Sequence, residues 1–306
     1  MNKTKRTSVV ISLLLVALAC QNEEPTQNLI PIDDSPIFME LTRSNSSGRL
    51  ASEGKYAVLS AEYLASEESG QVGRTIYFSD VGNKQLSSDF VPGVALDGTD
   101  DVSFYVDQNR PSADLPVAAT TGAVVRAMQT WNDVTCSDLG VYQVPSDPAI
   151  ATGFVSLILG FGGSDEYTAD IVHAGWLPAG FFDTLVPQGS TFILGLTFTI
   201  IFTDDAGTPT DLDNNGKADV AWREIYYNDT FTWQIENRFD VETIALHEAG
   251  HGLSQAHFGT AFATGNGKLH FAPRAVMNAA YSGIQTSINQ SDNAGHCSNW
   301  ASWNNN

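Results

Sequence analysis

The clearest chemistry in this chain lies in one stretch, His247-Glu248-Ala249-Gly250-His251-Gly252-Leu253-Ser254-Gln255-Ala256-His257. On a helix, His247 and His251 stand one turn apart on the same face, so their imidazoles reach one metal ion. Glu248 sits beside them, placed to take a proton from a metal-bound water. A hydrolytic metal needs a third protein ligand and one open position. No glutamate follows Glu248, which leaves His257, His270, Asp292 and His296 as candidates. On a continued helix His257 would lie ~9 Å beyond His251 and about 120° around the axis, out of reach of the same ion. It becomes a ligand only if the helix stops and the chain turns back.

His247, Glu248 and His251 form the H-E-x-x-H signature of zinc hydrolases. With His257 the stretch resembles H-E-x-x-H-x-x-G-x-x-H of the metzincin zinc peptidases, and within them the matrixins. Ser254 stands where that family has a glycine; a non-glycine residue in the left-handed region costs roughly 1 kcal/mol. Ala275-Val276-Met277-Asn278, with Met277 twenty residues past His257, is similar to the Met-turn beneath the zinc. Tyr281 matches the tyrosine that walls the S1′ pocket, although Ala279 replaces the usual proline. The stretches Trp131-Asn132-Asp133-Val134-Thr135 and Gln290 to Gly295 are similar to the first and last matrixin elements. The likeness runs in order through about residues 100–306, and its specificity rests on 247–281.

The resemblance implies a zincin-like catalytic domain of α+β class. Its parts would be a twisted mixed β-sheet, an active-site helix and a C-terminal helix. It implies zinc held by His247, His251 and His257, with Glu248 as general base, in an endopeptidase acting on protein or peptide substrates. The competing expectation is a non-catalytic, surface-binding lipoprotein on a zincin scaffold. The intact set of three histidines and Glu248 favours the enzyme.

Several elements must position these residues. Asp240 can cap the helix that carries the motif, and Glu242 suits its first turn. Val102 to Val106 alternates like a strand. Val124, Met128, Trp131 and Thr135 recur at helical spacing and read as core. Ala169 to His173, the apolar run Thr191 to Phe202, and Asp219 to Tyr227 read as strands, the second suited to the middle of a sheet. The order of strand, helix, several strands and helix also indicates α+β. Residues 49–101 read as a small β-rich N-terminal region, with short apolar runs at 56–59 and 75–78, ahead of a peptidase-like domain at 102–306. Asp211, Asp213, Asn215 and Asp219 space oxygen donors around Gly216 as a calcium loop would, though Trp222 stands where an EF-hand has glutamate. The other reading is an acidic Asn-Gly turn entering the strand. Matrixins commonly carry structural calcium. His173, His270 and His296 carry no assigned role.

With 306 residues the chain has ample length for a core. Its net charge of −20, from 35 acidic against 15 Lys and Arg residues, argues against nucleic acid and anionic membrane surfaces as partners. Residues 1–19 read as a signal peptide: Lys3, Lys5 and Arg6 precede a short apolar run ending in Ala17-Leu18-Ala19-Cys20. That ending resembles a bacterial lipobox, so Cys20 is the expected lipidation site, as against a plain secretory signal. Residues 20–48 read as a flexible tether. Membrane association is thus expected only through a lipid anchor, outside the cytoplasm, at an outer membrane or cell surface. Export suits a Cys136–Cys297 disulfide, as against two buried free thiols.

Overall fold

The computed structural model describes residues 30–33, 35–38, 56–78 and 88–303. The signal peptide expected at 1–19, the lipidation site Cys20 and most of the expected tether lie outside the described residues. The N-terminal strands are β1 (Ile30–Pro31), β2 (Ile37–Phe38), β3 (Tyr56–Ser66), β4 (Thr75–Tyr77), β5 (Ser88–Asp89) and β6 (Val102–Val106). Next come α1 (Val117–Asn132), β7 (Val141–Gln143), α2 (Phe154–Ile158), β8 (Ile171–Leu177) and α3 (Ala179–Leu185). The remainder holds β9 (Ile193–Phe202), β10 (Ala218–Asn228), α4 (Val241–Gly252), β11 (Thr260–Ala263), β12 (Leu269–Ala272), β13 (Ala280–Tyr281) and α5 (Gln290–Trp300).

The apolar run that suited a central strand becomes β9, and it does lie inside a mixed sheet ordered β2-β4-β3-β9-β10-β8-β6-β7. β10, β8, β6 and β7 pair in parallel, whereas β9 is antiparallel to both β10 and β3. Every residue of β10 is buried, because both sheet faces are covered. One face packs on α1 and α4 through Met128, Trp131, Ile244 and Leu246. The other, from which Tyr226 projects, packs on Phe154 of α2 and on Phe181 and Phe182 of α3. The fold is α+β, with a mixed sheet and five α-helices among the described residues.

In the stretch read as a small β-rich N-terminal region, β3 and β4 extend this main sheet. Two short parts of the expected tether also pair, β1 with β11 and β2 with β4. In α1, Val124, Met128 and Trp131 are buried as their spacing predicts, but Thr135 is exposed because the helix ends at Asn132. Trp131 Nε1 donates to the Leu246 carbonyl at 2.8 Å, fixing α1 across α4. A disulfide joins Cys136, just after α1, to Cys297 in α5. Among the described residues no helix is long and apolar enough to cross a membrane.

Candidate metal centre

Helix α4 starts where Asp240 accepts from the Thr243 N–H at 2.8 Å, and it is buried along almost its whole length. His247 and His251 project from one face with their Nε2 atoms 3.0 Å apart. The helix ends at Gly252, and Ser254 adopts the left-handed conformation, with φ of 66°. The chain then turns back and brings His257 Nε2 to 3.1 Å from His251 and 3.2 Å from His247. Serine therefore makes the turn that a continued helix would have prevented.

Arg223 on β10 is what holds this turn, and sequence reading passed it over. Its Nη1 donates to the His251 carbonyl at 2.7 Å, the Gly252 carbonyl at 2.9 Å and Ser254 Oγ at 2.9 Å. The last carbonyls of a helix lack partners and carry partial negative charge, so a buried cation satisfies both needs. The only sequence signal was an arginine inside a strand that is otherwise largely apolar.

The ring protons are set by neighbours. His247 Nδ1 lies 2.7 Å from the Val276 carbonyl, and His251 Nδ1 lies 2.7 Å from the Gln255 carbonyl. A carbonyl only accepts, so both Nδ1 atoms carry the proton and both Nε2 atoms present bare lone pairs. Lone pairs facing each other repel, and a cation between them relieves that. A tetrahedral zinc with ligand nitrogens at ~2.0–2.1 Å spaces those nitrogens ~3.3 Å apart. The observed 3.0–3.2 Å fits that donor triangle. Burial pushes the His247 pKa down to about 4 and holds His251 and His257 well below the usual imidazole range, with their neighbouring imidazoles adding to the effect. The neutral imidazole is the form that ligates metals. Among the described residues this is the one group of His, Cys, Asp and Glu side chains that could hold an ion. Behind it, Glu62 Oε2 on β3 stands 3.7 Å from His257 Nδ1, a neighbour no sequence pattern indicated.

Glu248 lies beneath β9 and is fully buried. Thr197 Oγ1 donates to its Oε2 at 2.7 Å, while Oε1 has no hydrogen-bond partner. A Cβ on Gly195 would sit 2.9 Å from that Oε1, so only glycine lets the carboxylate approach the strand so closely. Burial raises its pKa well above the usual carboxylate range. Such a group readily accepts and keeps a proton.

Met277 packs its sulfur against α4 at Gly250, where a Cβ would meet Sδ at 2.3 Å. Asp292, weighed above as a ligand, is not at the cluster. Its carboxylate accepts from the Val276 N–H at 3.0 Å and the Met277 N–H at 3.1 Å, fixing the turn that anchors His247. Asn278 braces the same turn through the Ala275 N–H and the Phe258 carbonyl. His270 stacks on Phe262 and His296 on Trp131, so neither joins the cluster. His173 is buried elsewhere, with Nδ1 hydrogen-bonded to the Tyr227 hydroxyl at 2.8 Å. Tyr281 lines a small pocket with Thr243, His247 and Val276.

Of the expected calcium ligands, Asp211, Asp213 and Asn215 lie close together, the Asn215 N–H donating to Asp211 at 2.9 Å and to Asp213 at 3.3 Å. Asp211 accepts from the Asn215 and Gly216 N–H groups, and Asp219 accepts from the Leu212 N–H. Asn215 Nδ2 donates to Asp213 and to Asp89. The carboxylates of Asp211 and Asp219 accept from the loop's own amides ahead of β10. No protein-family model matches the chain, and no curated protein matches it.

Proposed function

We propose that this chain is a zinc-dependent endopeptidase of metzincin type, resembling the matrixins, that hydrolyses peptide bonds in extracellular proteins. The observation that carries the reading is the convergence of three histidine Nε2 atoms within 3.2 Å of one another, with Glu248 adjacent in sequence. Zinc bound there would polarise a scissile carbonyl and lower the pKa of a bound water. His247, His251 and His257 would hold it, kept neutral by burial and aimed by the Val276 and Gln255 carbonyls. Glu248 takes the proton of the attacking water on its carboxylate and returns it to the departing amine. Thr197 fixes one carboxylate oxygen and leaves Oε1 free for that exchange. Tyr281 and the turn at Met277 border the pocket beside His247. The chain is further proposed to be exported and tethered by lipid at Cys20.

The test is zinc content measured on the purified full chain beside His257→Ala and Glu248→Gln. One zinc per chain is expected for the wild type and for Glu248→Gln, and a large loss for His257→Ala. Chelator-sensitive cleavage of casein, measured on the intact chain and on chain cut at the exposed residues 68–70, should fall by about 10²–10⁴ in Glu248→Gln, the usual contribution of a general base. Zinc binding without hydrolysis by either the intact or the cut chain would favour the binding lipoprotein instead.

A further inference from the structure

Strand β3 lies where an extended peptide would have to lie to meet the histidine cluster. On one side it runs antiparallel to β9, from Tyr56 opposite Phe202 to Ala65 opposite Ile193. On the other, its last residues run parallel to β13, Ala65 beside Ala280 and Ser66 beside Tyr281. β9 presents Gly195 and Thr197 to Glu248, and β13 presents Tyr281 to the pocket next to His247. Thus β3 is threaded between the two backbone edges that flank the site.

Leu64 makes this threading more than a sheet extension. The ladder with β9 slips in register between Leu64 and Ala65. Its side chain turns toward the α4 side, whereas Ala61, Tyr63 and Ala65 turn to the opposite face of the sheet. It lies in the pocket lined by His247, Val276 and Tyr281 and leaves about 20 Å³ there, room for roughly one water. Farther on, a Cβ at Gly73 would come within 2.9 Å of His257 Cε1, so the returning chain covers the third histidine too. Under this cover His247, Glu248 and His251 are at most 3% exposed. Glu248 in particular presents no surface to solvent.

We infer that Tyr56–Ser66 is an intramolecular occupant of the substrate cleft, which keeps the chain latent. This rests on the peptidase reading above. The cleft accepts an extended segment by strand addition, pairing it antiparallel to β9 and placing an apolar side chain where Leu64 sits. Glu68, Ser69 and Gly70 follow β3 and are exposed to solvent, so a cut there frees the C-terminal end of the occupant.

To test this, the full chain is given a recognition site for a sequence-specific protease at residues 68–70, and cut and uncut protein are compared. Cutting should speed hydrogen exchange at the β9 amides and raise hydrolysis of a fluorogenic peptide at least tenfold. A synthetic peptide of residues 56–66 should reverse both effects, and the same peptide with Leu64→Asp should reverse neither. If the uncut chain is already fully active, or cutting abolishes the near-ultraviolet circular dichroism of the folded body, β3 is a permanent strand and the inference falls. If exchange rises and the peptide re-docks while no form hydrolyses anything, the occupant stands and it is the peptidase reading that fails.

Discussion

Arg223 decides whether the third histidine meets the other two. Its guanidinium is buried, which lowers its pKa to about 10, so it remains a cation at neutral pH. It neutralises two helix carbonyls and grips Ser254 in a conformation that serine adopts at a cost of roughly 1 kcal/mol. Hydrogen bonds from a charged donor contribute about 1.5–3 kcal/mol each, so the grip outweighs the strain. Arg223→Met should therefore destabilise the chain by about 3 kcal/mol in urea denaturation. Zinc affinity should drop at least tenfold, because His257 loses its fixed position. An Arg223→Met protein with unchanged affinity would mean that the turn at Ser254 holds itself.

At the scale of elements, α4 depends on a close approach that its own sequence permits. Gly250 faces the Met277 sulfur, so Gly250→Ala sets two effects against each other. Alanine gains about 1 kcal/mol of helix propensity over glycine. A Cβ 2.3 Å from the sulfur forces Met277 and its turn to shift, and such overpacking costs about 1–3 kcal/mol. Packing should win because Val276, one residue away, anchors His247 and cannot move freely. Thermal unfolding should show Gly250→Ala less stable than wild type; a more stable variant would show that the methionine side chain simply bends aside.

For the molecule as a whole, two features tie stability to solution conditions. The Cys136–Cys297 disulfide spans 161 residues of chain and fastens the end of α1 to α5. Its reduction should lower unfolding free energy by roughly 2–5 kcal/mol, read as a shift of the denaturation midpoint with and without reductant. His173 supplies a pH dependence. Burial pushes its pKa down to about 3, whereas the unfolded chain has the ordinary value near 6.5. Below pH 6.5 the unfolded state binds a proton that the folded state refuses, so stability falls as the pH drops toward 3. At pH 5 the loss is about 2 kcal/mol relative to pH 7. His173→Gln should flatten that part of the stability profile, and an unchanged slope would assign it to other groups.

Much was legible along the chain because it depends on local spacing. The period of the helix puts His247 and His251 on one face, and Asp240 caps that helix as its type and position foretold. The stretches 191–202 and 219–227 that read as strands became the buried strands Ile193–Phe202 and Ala218–Asn228. Tertiary structure alone decided the contacts that join distant segments. Arg223, Asp292 and Glu62 act on the cluster from separate parts of the chain, and no spacing rule links them to it. The acidic loop at 211–219 has oxygen donors at calcium spacing, and only the fold shows that Asp211 accepts from the Asn215 and Gly216 amides. Above all, residues 56–66 carry only a strand signal in sequence. Which edge such a strand joins depends on what that edge leaves unpaired, and here it is the strand lying over Glu248.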